Sequence, residues 1–137
     1  MLRVVLDTNV LLVSISPNAP NHWIIRHFMD EGFILCVTTD ILLEYEEVIT
    51  RHMGALTATN FMEALDNAPH VELITRYFKW DLIEADPDDN KFVDCAIAGN
   101  ARFIVTEDKH FRILNQVEYP KVGIIGIAEF KKELEGA

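Results

Sequence analysis

The sequence predicts an α/β fold built on a parallel sheet covered on both faces. Three observations carry this. Short apolar runs alternate with amphipathic segments from one end of the chain to the other. The runs are apolar throughout rather than every second residue, as strands buried on both faces are. Acids stand just past two of these runs, at Asp7 and Asp108, where open α/β sheets keep their active sites, at the carboxyl ends of the strands.

Taken in order, residues 2–6 (LRVVL) read as the first buried strand and residues 8–15 (TNVLLVSI) as a short apolar helix, broken by Pro17 and Pro20. A helix is expected over 21–31, with Asn21 as its N-cap, Trp23, Ile24, His27 and Phe28 on one face, and Gly32 at its end. Residues 33–37 (FILCV) form the second strand. Thr38, Thr39 and Asp40 then offer caps to the helix ILLEYEEVITRH. Gly54 punctuates, and a further helix covers 56–67. Residues 71–75 (VELIT) read as a third, more exposed strand, and residues 76–85 carry no clear pattern. DPDD is a turn with Pro87 at its second position, opening a helix from Asp88 to Asn100. Strands over 102–106 and 122–125, a short helix from His110 to Leu114 and a last helix over 127–135 complete the chain.

At 137 residues the chain is read as a single domain, 1–137, long enough to bury roughly two-thirds of its unfolded surface. Two cysteines, Cys36 and Cys95, fall in apolar surroundings with no CxxC spacing and read as reduced core residues. The N-terminus opens directly into a strand and no apolar run approaches the roughly 18 residues of a membrane span. A cytoplasmic protein with no membrane partner is therefore expected. The net charge of −10 argues against a basic nucleic-acid footprint. A cluster of acids holding divalent cations weakens that objection, because the cations cancel its field.

Several carboxylates in one crevice repel each other unless a cation sits among them, so a hard divalent metal on oxygen ligands is the chemistry to suspect. Asp7 follows the first strand directly, and Asp108 lies two residues past RFIVT. On a helical wheel Phe92, Val93 and Ala96 fall within about 60° of Asp89. Asp89 thus opens the buried face of its helix, where a bare acid is costly unless paired or ligating; the alternative is a cap using the helix dipole. Asp88 and Asp94 project well away from Asp89, and Asp86 sits in the turn as a supporting residue. Glu44 and Glu46 flank the apolar face of their helix symmetrically, so the wheel does not choose between them, while Glu47 points to solvent. The five histidines, His22, His27, His52, His70 and His110, show no metal-ligand spacing; His110 lies near the rim.

The segments VVLDTNVLL, TTDILLEYEEV and DPDDNKFVDCAIAGNARFIVTEDKHF resemble the PIN-domain family, and most closely its VapC-like branch of toxin–antitoxin ribonucleases. The resemblance spans nearly the whole chain, and the third segment is its most specific part. It implies a three-layer α/β/α fold with a central, mostly parallel five-stranded sheet. It also implies an acidic quartet at Asp7, Glu44, Asp89 and Asp108, both catalytic and metal-ligating, supported by Thr8, Asn9 and Thr106. Asp94 matches a position where relatives often carry an acid, and Asn90 is the neighbouring register for Asp89. The implied activity is an Mg²⁺- or Mn²⁺-dependent endoribonuclease acting on an RNA substrate. The implied partners are a small antitoxin protein and further copies of the chain; the helix around Trp23, Ile24 and Phe28 is a candidate for either contact, with core packing the commoner explanation of such a face. Lys109, Arg26, Arg51 and Lys91 are candidate substrate contacts. The competing reading is a catalytically silent scaffold of the same fold that binds a partner protein. Receiver or dehalogenase-like phosphoryl transfer lacks its DxD nucleophile motif, and no GxGxxG or P-loop supports nucleotide binding.

Overall fold

A computed structural model of the chain describes residues 1–76, 78–84 and 86–136. Its elements in order are β1 (Arg3–Leu6), α1 (Thr8–Ile15), α2 (Trp23–Met29), β2 (Ile34–Val37), α3 (Thr39–Met53), α4 (Ala55–Asn67) and β3 (Val71–Leu73). A short 3₁₀ turn (Pro87–Asp89) leads into α5 (Asn90–Ala98). Then come β4 (Phe103–Val105), a 3₁₀ helix (Lys109–Gln116), β5 (Gly123–Ile125) and α6 (Ile127–Glu135). Among the described residues no helix is long and apolar enough to cross a membrane.

The five strands form one sheet in the order β3-β2-β1-β4-β5, and every pairing is parallel. The expected three-layer α/β/α architecture is the one observed, with a sheet that is wholly rather than mostly parallel. From β1 the chain winds outward to β2 and β3, then crosses back to place β4 on the other side of β1. The order therefore reverses between β1 and β4, which is where such sheets open a crevice beyond their carboxyl ends. In-register pairing of Leu6 with Val105 and of Val105 with Ile125 keeps these ends level. The ladder continues past them through Asp7 N–H to Val105 O (3.1 Å) and Thr106 N–H to Ile125 O (2.9 Å). The rim thus carries Asp7 and Thr106 side by side.

The core is made by the strand runs and the helix faces turned to them. Val4, Val5, Leu6, Leu35, Cys36, Val37, Ile104 and Val105 are buried, as runs covered on both faces must be. Helix α5 packs across β1, β2 and β4, and α3 packs on α1 and α4. Trp23 of α2 meets Phe130 of α6, which in turn meets Phe33 edge-on. So the helix suggested above as a contact surface spends much of its aromatic face on the core. Gly54 joins α3 to α4 at φ 92°, a conformation that side chains rarely tolerate. β3 is the exposed edge expected, with Glu72 and Leu73 facing solvent.

Three local expectations change. Asn21 does not cap α2: residues 16–23 already form successive turns, Ile24 N–H bonds the Asn21 carbonyl, and His22 holds the cap position without a side-chain bond. That helix ends at Met29 rather than at residue 31. Glu31 takes φ 58°, and Gly32 N–H closes back on His27 O at 2.7 Å, a Schellman-like stop. The segment 88–100 is a 3₁₀ turn followed by a shorter helix, because Asp86 accepts from Asp88 N–H and tightens the first turn. Thr38 is the residue that caps α3, accepting from Ile41 N–H. Arg76 and residues 78–84 follow no regular element; Tyr77 and Ala85, in the stretch where the sequence shows no clear pattern, lie outside the described residues.

Candidate active site

Asp7 ends β1 and is only 5% exposed. It sits at the cap position of α1 but makes no capping bond. Its Oδ2 instead accepts from Thr106 Oγ1 at 2.7 Å, and Thr106 Oγ1 accepts from the Asp108 amide at 3.0 Å. One threonine therefore ties the ends of β1 and β4 together and orients both acids. Burial pushes the Asp7 carboxyl above the usual carboxylate range; the Thr106 bond opposes this, and the nearby charges of Asp108 and Glu44 add to it.

Glu44 reaches the rim because its neighbour Tyr45 is fully buried and donates its hydroxyl to Leu6 O at 2.5 Å. This pins α3 beside the end of β1, where the Thr8 hydroxyl donates to Glu44 Oε2. Glu46, which the wheel left equal, is exposed. The other oxygen of Glu44 meets Lys91 Nζ at 2.6 Å, and Lys91 also pairs with Asp88 at 3.0 Å. Burial alone would lower the Lys91 pKa, but these two partners raise it on balance.

Asp89 sits at the cap position of α5 in helical conformation, and no side-chain capping bond forms. Its Oδ2 is buried with no hydrogen-bond partner. Burial first, then the charges of Asp86, Asp7, Asp108 and Glu44, raise its pKa to about 7. An orphaned, buried, charge-crowded carboxylate oxygen is what a cation site looks like to its ligands before the cation is counted. The donors around it are hard oxygens, which suits Mg²⁺ or Mn²⁺.

Among the described residues, one set of metal-capable atoms joins Asp86, Asp89 and His110, all within 4.8 Å of one another. Sequence spacing did not suggest this, since His110 lies far along the chain from the DPDD turn. Only the packing of the 3₁₀ helix against that turn brings it in. The one available signal was its place two residues after Asp108, whose Oδ1 accepts from the His110 amide at 2.9 Å.

Other candidates stand apart. Asp94 is 2% exposed and already engaged, accepting from Trp80 N–H at 3.1 Å with Arg76 Nη1 at 3.5 Å. Burial dominates its raised pKa, and the Trp80 bond and the Arg76 charge oppose it. Asn9 is exposed at the start of α1. Arg51 pairs with Glu47 on the outer face of α3, and Arg26 and Lys109 are exposed. Asn90 is a clamp: its side chain accepts from Ile83 N–H (2.9 Å) and donates to Ile83 O (2.9 Å) and Pro87 O (3.1 Å). A carboxylate there could not donate to either carbonyl. Asn90→Asp should therefore destabilise the protein by about 1–3 kcal/mol at neutral pH, read as a lower midpoint in urea. An unchanged midpoint would remove the clamp from the account.

A PIN domain family model matches residues 3–110, and the chain belongs to the PIN domain family. No curated protein matches the sequence significantly. Among solved structures, the chain is similar to VapBC2 from Rickettsia felis bound to a DNA fragment from its promoter. The identity is 13% and the TM-score 0.63, covering 91% of this chain and 98% of that one. DNA-bound VapBC from Salmonella typhimurium gives 17% identity and a TM-score of 0.60 over 93% and 99%. VapC20 of Mycobacterium tuberculosis, a sarcin–ricin loop cleaving toxin, gives 14% and 0.51 over 74% and 86%. At these identities the likeness is one of fold.

Proposed function

We propose that this chain is a divalent-metal-dependent endoribonuclease and the toxin of a toxin–antitoxin pair, folded as one domain over 1–137. The observation that carries the nuclease reading is the orphaned, buried Oδ2 of Asp89, crowded by Asp86, Asp7, Asp108 and Glu44 at the β1/β4 crevice. Asp7, Glu44, Asp89 and Asp108 would hold the cation or cations, with Asp86 and His110 near enough to Asp89 to share in it. When bound, such a cation supplies activation of a water and stabilisation of charge on the scissile phosphate.

The chain's own residues prepare that chemistry. Thr106 fixes the Asp7 carboxylate and the Asp108 backbone together, so both acids are oriented before any ligand arrives. Thr8 holds one oxygen of Glu44, while Lys91 offsets charge on the other. The Asp108 carboxylate is fixed in turn by the His110 amide. Such pre-ordering removes reorganisation from the reaction step. The toxin assignment rests on the family together with fold neighbours that are VapBC assemblies and a VapC toxin. It brings with it an antitoxin partner and self-association.

The test is cleavage of a total RNA pool with fragment ends sequenced, in Mg²⁺, in Mn²⁺ and in excess EDTA. Discrete ends are expected with either metal and none in EDTA. Full cleavage in EDTA would overturn the metal mechanism. Titration calorimetry with Mn²⁺ separates the silent scaffold: an absence of binding at millimolar metal would favour it.

A further inference from the structure

We propose that single-stranded RNA is held by base stacking on an aromatic platform formed by Phe78, Trp80 and Tyr119, continuous with the acidic centre. This rests on the ribonuclease reading and deepens it by naming how the substrate is gripped. A cleft of about 640 Å³ runs between residues 82–84 and the 3₁₀ helix, lined by Leu82, Ile83, Glu84, His110 and Ile113. His110 is common to this cleft and to the group with Asp86 and Asp89, so one side chain borders both. Phe78 and Trp80 lie just before the 82–84 wall along the chain, and Tyr119 lies just after the 3₁₀ helix. The Trp80 ring packs 4.7 Å from Phe78 and meets Tyr119 edge-on at 6.3 Å. Phe78 is 62% exposed and Tyr119 83% exposed, so both rings offer faces to a ligand.

The platform is anchored to the catalytic frame. Asp94 holds the Trp80 amide and Asn90 holds both polar backbone atoms of Ile83, and both come from α5, which follows Asp89 directly. This gives buried Asp94 a use outside the quartet, as the residue that positions the aromatic segment.

Charge favours the same mode of binding. The chain carries −10, and two cations beside α5 are already engaged, Lys91 by Glu44 and Asp88, Arg76 by Asp40 and Asp94. The net charge therefore opposes attraction of phosphate at long range, and Lys79 and Lys121, next to the rings in sequence, supply at most a few local phosphate contacts. Stacking does not depend on net charge and contributes roughly 1–3 kcal/mol per base.

The test is binding of a labelled single-stranded RNA of about ten nucleotides to the full chain by fluorescence anisotropy. EDTA is present so that no metal-dependent cleavage occurs, and protein tryptophan emission is followed in parallel. Quenching of emission is expected on binding. Phe78→Ala and Tyr119→Ala should each weaken binding by about five- to a hundredfold, with circular dichroism unchanged and Tyr119→Phe retaining affinity. Affinity should fall less than about tenfold between 50 and 300 mM salt, because few phosphates are neutralised. Unchanged affinity in the alanine variants, absent binding, or a steep salt slope would overturn the proposal; the first would mark the aromatic face as a protein-docking surface instead. Failure of the nuclease reading looks different: RNA would still bind through the rings, but no fragments would appear when metal is added.

Discussion

Asp7→Asn is expected to lower metal-dependent RNA cleavage by about 10²–10⁴-fold while leaving the protein folded. The substitution keeps shape and an oxygen that can still accept the Thr106 hydroxyl, so the link across β1 and β4 survives. What disappears is a negative charge at a 5%-exposed position, and with it one proposed ligand and part of the field that would attract a cation. The predicted signature is a loss in turnover and a weaker Mn²⁺ isotherm with an unchanged or raised thermal midpoint. Cleavage within tenfold of wild type, with fold intact, would remove Asp7 from the mechanism.

The second large effect concerns stability, with Asp89→Asn the informative variant. The Asp89 carboxyl titrates near 7 against an ordinary value of 3.8, so between those values the folded protein binds more protons than the unfolded chain. Stability contributed by the protonated form is therefore full below about pH 4 and is lost as pH rises through 7. At pH 8 the metal-free protein carries the whole penalty of an ionised, crowded Asp89. Asn carries no charge, so Asp89→Asn should be more stable than wild type at pH 8 without metal, by about 1–3 kcal/mol. The gain should vanish toward pH 4. Millimolar Mn²⁺ should raise the wild-type midpoint by mass action and move the variant much less. A variant less stable than wild type at pH 8 in EDTA would mean that Asp89 is a structural acceptor. The two variants together describe a site whose acids are kept at a cost to the empty fold, the usual trade between stability and activity.

Much of this was legible in the residues because the physics behind it is local. A continuous apolar run of four or five residues suits a strand buried on both faces, so the parallel sheet and the rim positions of Asp7 and Asp108 follow from periodicity. The wheel likewise placed Asp89 on the inner side of its helix start. Asp94, by contrast, matched an acidic family position, yet it faces Trp80 and Arg76, because helical spacing sets a direction but not what lies there. Asn21 looked like a cap by type, but the turns before α2 had already occupied that geometry.

The sequence by itself determined the α/β class, the order of strands and helices, the family, and which acids end which elements, because these depend on hydrophobic period and on contiguous motifs. Tertiary structure supplied the physical reason for the Glu44 that the resemblance had implied and the wheel could not choose, through the Tyr45 hydroxyl on Leu6 O and the Thr8 hydroxyl on Glu44. It alone assigned Asn90 to clamping Ile83 and brought His110 beside Asp86 and Asp89. The reason is one of range: these partners are separated along the chain by spacings with no period, so no wheel or motif relates them, and only the packing of α3, α5 and the 3₁₀ helix against the ends of the strands sets their distances.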